Sequence, residues 1–599
     1  MMSRLVIIIA ALRIGTLGAQ SVESFVGADM IVFNATITTQ SLAIPRASAV
    51  AVKRGRIYAV GTDAEILGLK DNNTRLIDAR GRRLIPGLMD AHVHVLNEKN
   101  YNYEVKWEGV PTLKYALQML SEQAKRTPPG QWVKVIGGWS PYQFSERRHP
   151  TIEELKKAVP DRPFIVQYAY NEAFLNESAM KALGVGTSRF PTFPGTVFEK
   201  DSQGRYTGIV RANTFTFVTL ESMVPLPSYE EQVNGLIYII NNLNRFGVTS
   251  VIDAGAAQGY ADGHAPLQEL IRQNRLNVRF RFIDLQFGGS SGTFVDAEIN
   301  AITQRSPVSP GENLIPSVAH GHEYEGTGEM LRLALHDHEN FDLPAIVIDR
   351  DSMLQYIRED VTKLVKRRIP FRMHISYNEN ITPFLDALEQ VNAQTPLDGL
   401  RWSIEHAETI TPENIERVKR LGGGIALDDK MALHGDAFIK TYSREKALRT
   451  PALRRLVESG IPLAMTSDGF RAGPINPWIG ISWTVSGKSV SGSEVLAKDN
   501  RLTREEALKL WTTGAAWFGG RENDTGKIEP GYLADFTLLS ADYFTVPEDQ
   551  IKDISSVLTV VDGRVVFGKA EYSGLAPKLP EVIPAWSPIK YFGDYYSPK

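Results

Sequence analysis

The sequence predicts an α/β protein built on a (β/α)8 barrel with β-rich segments at both ends, on three observations. The middle of the chain alternates short apolar runs with amphipathic stretches, as successive βα units do. Segments near both ends read as short strands around tight turns. Several apolar runs finish on His or Asp, and parallel barrel strands deliver their last residues to one face.

The elements follow in order. Arg4, the apolar run Leu5 to Leu12 and small residues up to Ala19 have the layout of a signal peptide over 1–19, which predicts a secreted or periplasmic protein. From 28 to 85, Met30 to Asn34, Ala49 to Lys53, Arg56 to Val60 and Arg75 to Asp78 are strand-like, and Lys53-Arg54-Gly55-Arg56 reads as a hairpin turn. The βα text includes Val248-Thr-Ser-Val-Ile-Asp, Phe371-Arg-Met-His-Ile, Trp402-Ser-Ile-Glu-His, Gly424-Ile-Ala-Leu and Leu463-Ala-Met-Thr-Ser-Asp. Thr151-Ile-Glu-Glu and Thr503-Arg-Glu-Glu are capping boxes that start helices. Near the other end, Asp562-Gly563 between Val557–Val561 and Arg564–Phe567 is a strong hairpin signal.

At 599 residues the chain exceeds one compact core, so two or three domains are expected. With 43% hydrophobic and 23% charged residues it is an ordinary globular composition. A net charge of −3 without a basic stripe argues against nucleic acid. The absence of cysteine excludes disulfides, thiolate nucleophiles and Cys-ligated zinc, so any metal must be held by His, Asp, Glu or a modified Lys. After residue 19 no stretch approaches the roughly 20 apolar residues of a membrane span. Sequons at Asn34, Asn72, Asn176, Asn380 and Asn523 would permit glycosylation in a eukaryotic host.

Strand alternation puts His92 and His94 on one face, where two imidazoles can grip one ion. A bare His-x-His is as easily structural. Three further strand-like runs end on ligand types, at His374, His406 and Asp468. Together these five residues form a nitrogen and oxygen set suited to a divalent metal, Zn²⁺ first, with Fe²⁺ or Mn²⁺ as alternatives. His149, His264, His336, His338 and His434 lack a partner spacing and read as surface or satisfied residues. Asp428-Asp429 after Gly424-Ile-Ala-Leu could line the mouth, but paired carboxylates in a loop are usually only solvated.

The segments Leu84-Ile-Pro-Gly-Leu-Met-Asp-Ala-His-Val-His, Gly137-Gly-Trp-Ser, Gly247-Val-Thr-Ser-Val-Ile-Asp-Ala-Gly, Arg401-Trp-Ser-Ile-Glu-His-Ala-Glu, Thr466-Ser-Asp-Gly and Gly526-Lys-Ile-Glu-Pro-Gly-Tyr-Leu-Ala-Asp-Phe carry a resemblance. From about residue 28 to 570 the chain resembles the amidohydrolase superfamily, and within it amidohydrolase family 3, the YtcJ-like branch with N-substituted formamide deformylase. The resemblance implies a TIM barrel over 86–520, a small β-sandwich domain from 28–85 plus 521–575 and an inserted roof segment at about 97–220, which leaves 576–599 as a C-terminal tail. It carries His92, His94, His374 and His406 over as metal ligands, and Asp468 as ligand and general base.

Two departures from the family pattern bear on the site. Many relatives bridge two metals with a carboxylated Lys, but no Lys lies between Lys200 and Lys363, which predicts a single ion. His320, His322 or Glu323 is the candidate for the bridging place or a substrate contact. Where relatives carry a roof His, this chain has Tyr170-Asn171, so Asn171, with Trp139, is a candidate substrate contact.

The implied reaction is hydrolysis of a non-peptide, amide-like carbon–nitrogen bond in a small molecule by activated water. Asp468 takes the proton and His406 or the metal polarises the carbonyl. The alternatives are deamination of an aminated ring, with Glu323 shuttling protons, and a catalytically silent binding protein on the same fold. Self-association into a homo-oligomer is compatible with this picture.

Overall fold

The computed structural model describes residues 27–596 apart from 189, 192–194, 213, 256–263, 285–294, 297–298, 300–321, 333–334, 336 and 338–340. The signal peptide expected at 1–19, His320, His336 and His338 lie outside the described residues. Eight parallel strands form the barrel: β1 Leu88–Val93, β2 Val248–Asp253, β3 Arg279–Asp284, β4 His322–Thr327, β5 Phe371–Ile375, β6 Trp402–His406, β7 Gly424–Asp428 and β8 Leu463–Thr466. Each neighbouring pair is in parallel register from β1 to β8. The ends of the sheet meet where the Asp468 amide donates to the His92 carbonyl (3.1 Å) and the His94 amide to the Gly469 carbonyl (2.8 Å). The strands are buried on both faces, covered outside by helices, and their buried residues include charged ones such as Arg281, Arg372 and Glu405. Helix Tyr229–Arg245 is one such cover, burying Leu236, Ile239, Ile240 and Leu243 against the strands.

Strands from both ends of the chain share one sheet. Arg83–Pro86 runs antiparallel to Phe536–Leu539, with Leu84 opposite Leu538, and Ser556–Val561 and Arg564–Gly568 extend it. A second sheet, of Arg56–Gly61, Ala49–Lys53, Met30–Phe33 and Arg75–Asp78, packs on it through Val32, Val50, Ile77, Phe536 and Leu558. Both expected hairpins form. Arg54 and Gly55 (φ 51° and 71°), and Asp562 and Gly563 (φ 54° and 69°), adopt the left-handed pair of a two-residue turn. Both capping boxes are present as well.

Between β1 and β2 the chain builds a separate five-stranded sheet, in the order Val197–Lys200, Tyr206–Arg211, Glu172–Leu175, Phe164–Tyr168, Val133–Ile136. Trp107 packs edge to face on Trp139 and on Phe144 inside it, with the two indoles 5.0 Å apart. This layer docks directly on the chain after Asp468. The Gly138 amide donates to the Arg471 carbonyl (3.0 Å), and a Cβ on Gly137 would lie 2.3 Å from that same oxygen. Arg471, 4% exposed, pairs with Glu98 below and Glu221 above, so the seam is also held by buried charge.

Residues 581–596 run across roof and barrel together. Asn102 and Gln123 of the roof donate to the carbonyls of Ile583 and Trp586 (both 2.9 Å), while Asn234 and Asn242 of helix Tyr229–Arg245 donate to those of Glu581 (3.0 Å) and Asp594 (3.2 Å). Among the described residues, no helix is long and apolar enough to cross a membrane. Two sequons need correction. Asn176 is a buried helix cap, and Asn380 is fully buried with its amide on Asp337 and Ile346, so neither side chain can accept a glycan on the folded chain; Asn34, Asn72 and Asn523 are exposed.

Gly137 combines φ of +61° with the close approach to Arg471, so Gly137→Ala is strained twice over. The variant is expected to lose about 1–3 kcal/mol at the roof seam and to unfold at a lower temperature in calorimetry. An unchanged unfolding temperature would show that the roof does not depend on this approach.

Candidate metal centre

The five sequence-predicted ligands converge at the C-terminal mouth of the barrel. His92 and His94 leave β1, His374 sits in β5, His406 ends β6, and Asp468 follows β8; all are buried. Their centre is occupied by a residue that sequence reasoning missed, Glu329, two positions after β4. Its Oε2 lies 3.4 Å from His92 Nε2, 3.0 Å from His374 Nδ1 and 3.2 Å from His406 Nε2, and its Oε1 lies 3.5 Å from His94 Nε2. Asp468 Oδ1 stands 3.1 Å from His94 Nε2 and 3.6 Å from His92 Nε2.

The 3.4–3.6 Å spacings from His92 and His94 to Glu329 and from His92 to Asp468 fit a cation better than hydrogen bonds, while His374, His406 and the His94–Asp468 pair stand within hydrogen-bond reach of their carboxylates. Ligands about 2.0–2.1 Å from a tetrahedral ion stand roughly 3.3–3.4 Å apart, whereas an N–H···O bond is about 2.9 Å. His92 Nε2 is buried and makes no hydrogen bond. Three groups of donor atoms each fall within 4.8 Å: His92, His94 and Asp468; His92, Glu329 and His406; His406, Asp428 and Asp468.

The far nitrogen of each of three imidazoles is held so that the near one faces inward, as metal-binding histidines require. His92 Nδ1 meets Glu405 Oε2 at 2.6 Å, His406 Nδ1 makes a short contact with Asp428, and His374 Nε2 faces the Asp337 carbonyl at 3.0 Å. Asp428 is therefore a correction: it is not a solvated loop carboxylate but the fully buried last residue of β7. Asp337 also accepts the amides of Ser376 and Tyr377, which ties the chain after β4 to the end of β5. His406 and Asp468 hold their positions with φ of +77° and +48°, costly for residues with a Cβ and common at functional sites.

Other expected contacts fall elsewhere. Glu323 and His322 begin β4, six and seven positions before Glu329, at the end of the strand opposite the mouth. Glu323 is bound there to Arg281 (2.9 Å), so the proton shuttle expected of it for deamination is not at the metal centre. Trp139 is a roof core residue whose indole N–H donates to the Gln167 carbonyl (2.8 Å). Asn171 lies in the turn between two roof strands, 3.4 Å from Asp342. His434, read as satisfied, pairs with the Tyr168 hydroxyl at 2.9 Å.

Burial disfavours charge on the imidazoles, but the hydrogen bond to Asp468 and the charge of Glu329 outweigh it at His94 and push it up to about 9. At His374 burial and the neighbouring His406 oppose protonation, while Asp337 and Glu329 overcome them and raise it to about 9 as well. Glu329 is desolvated, yet the surrounding imidazoles hold it well below the usual carboxylate range.

The Amidohydrolase family matches residues 75–567. The chain is 25% identical over 553 residues to the N-substituted formamide deformylase of Arthrobacter pascens, covering 89% of this chain and 97% of that protein. It is 25% identical to the Bacillus subtilis protein YtcJ, over 88% of this chain and 97% of the other. In fold it is similar to the crystal structure of an uncharacterised metal-dependent hydrolase from Pyrococcus furiosus, with a TM-score of 0.59, 20% identity, and coverage of 86% of this chain and 100% of that one.

With His94 and His374 near 9, both imidazoles carry protons at pH 7.5 in the metal-free protein, and a cation must displace them. Zn²⁺ binding that fills the centre is therefore expected to release about two protons and to strengthen as pH rises toward 9. Calorimetric titration in buffers of different ionisation enthalpy measures this; heats independent of the buffer would contradict it.

Proposed function

The chain belongs to the amidohydrolase family, and from that premise we propose that it hydrolyses an amide-like carbon–nitrogen bond at a centre of two divalent ions shared by Glu329. One observation carries this reading: Glu329 lies within 3.5 Å of a metal-facing nitrogen of all four histidines. The expectation of a single ion rested on the missing bridging Lys. In this reading Glu329, a carboxylate from the chain after β4, takes that place and needs no modification. His92, His94 and Asp468 would hold one ion, His374 and His406 the other, with zinc the best match to this donor set.

When bound, the cations supply Lewis acidity and lower the pKa of water from about 15.7 toward about 7. Asp468 accepts the proton of the attacking water through its carboxylate and returns it to the departing nitrogen. His406 serves as ligand rather than carbonyl polariser, because Glu329 faces its Nε2 and Asp428 its Nδ1. Glu405 and Asp428 fix the tautomers of His92 and His406. The substrate class follows the deformylase relative: an N-substituted formamide or a related N-acyl amine. Export through the leader at 1–19 belongs to the same proposal.

Two measurements test it. Metal analysis of zinc-loaded protein is expected to give close to two ions per chain, falling to one or fewer in Glu329→Gln; a single ion in the unsubstituted protein would refute the shared centre. In a screen of N-formyl amines, N-acyl amines, carbamates and aminated rings, turnover of the first two classes is expected. Asp468→Asn should lose at least about 100-fold of it while still folding. Turnover of the aminated rings alone would favour deamination instead.

A further inference from the structure

Beside the histidines lies a buried ammonium with no part in the chemistry just described. Lys430 opens helix Lys430–Thr441 directly after β7 and is 2% exposed. Its Nζ is 2.9 Å from His406 Nδ1, 2.8 Å from Asp428 Oδ2 and 3.1 Å from Asp468 Oδ2, with Glu408 Oε1 at 3.9 Å. Those first three partners are the third group of donor atoms with metal-type spacing. A cation thus already occupies that group, and it is covalently attached to the chain.

The position has a consequence for Asp468. Its Oδ1 faces His92 and His94, whereas its Oδ2 faces Lys430. Without the ammonium, Asp428 and Asp468 would face each other across His406 as two buried carboxylates with no cation between them, an arrangement that invites either protonation or a stray ion. Lys430 also lies on the Nδ1 side of His406, away from the Nε2 that points at Glu329, so it does not compete for the shared centre.

We propose that Lys430 is a positioning residue whose ammonium fills this third cluster, excludes a further metal ion from it, and confines Asp468 to one-oxygen contact with the His92–His94 side. The inference rests on the metal-site reading above, and comparing variants with the unsubstituted protein separates the two. A protein that binds no Zn²⁺ or Co²⁺ at all defeats that reading; the difference between variants and parent tests this one.

The experiment uses the full chain with Lys430→Met, which removes charge but keeps volume, and Lys430→Ala, which leaves room for an added amine. Titrated with Zn²⁺, Lys430→Ala is expected to take up one weaker equivalent more than the parent, and ethylammonium should compete it away. The Co²⁺ form of Lys430→Met should show a shifted visible spectrum as Asp468 changes its contact, and turnover should fall by about 10–100-fold with little change in KM. Ethylammonium should restore part of the turnover of Lys430→Ala. Identical metal counts and spectra in parent and variants, or variants that no longer fold, would assign Lys430 to stability alone and overturn the proposal.

Discussion

Burying charge at the mouth of the barrel is the constraint on which the rest of the molecule depends. Glu329, Glu405, Asp428 and Asp468 are all withdrawn from water within a few ångströms of four imidazoles. An isolated buried carboxylate is costly by several kcal/mol, so each must face a cation, an N–H or a protonated ring. The parallel strands solve the problem geometrically by ending together. Each strand end brings one or two polar groups, and the set satisfies itself only when β8 returns to β1 and the Asp468 amide meets the His92 carbonyl. Barrel closure and completion of the centre are thus one event.

Much of this was legible in the sequence because strand ends are. His374, His406 and Asp468 each finish an apolar run, and His92 and His94 alternate within one, so the rule that strands deliver their ends to one face gathered all five. The same rule applied to Gly424-Ile-Ala-Leu-Asp would have found Asp428. The following Asp429 gives the pair the sequence signature of a solvated turn as well as of a residue at the mouth.

Glu329 was harder. It lies beyond the end of β4, after Gly326 and Gly328, in a text where Glu recurs at 323, 325 and 329 with no periodic cue. The denser cluster of ligand types at 320–323 drew attention to the opposite end of the strand. There Glu323 and Glu325 instead face Arg281 inside the barrel. Trp139 and Asn171 were similarly ambiguous, since an aromatic or amide in an inserted layer has the same sequence signature whether it lines a cavity or packs a core. Only the indole hydrogen bond to Gln167 settles the first.

The segment 581–596 lies across roof and barrel helix alike, and the sheet beneath the barrel joins strands more than 400 residues apart. During synthesis the ribosome therefore releases nearly all of the barrel before the pieces that pin its two layers exist. His92 and His94 must wait, unliganded and adjacent to exposed apolar strands, for Asp468 and then for the strands around Phe536 and Ser556. A nascent chain in that interval has long-range contacts still to make, the condition under which aggregation competes with folding. Early capture of a metal ion by the first histidine pair would give the growing chain no finished site to keep it.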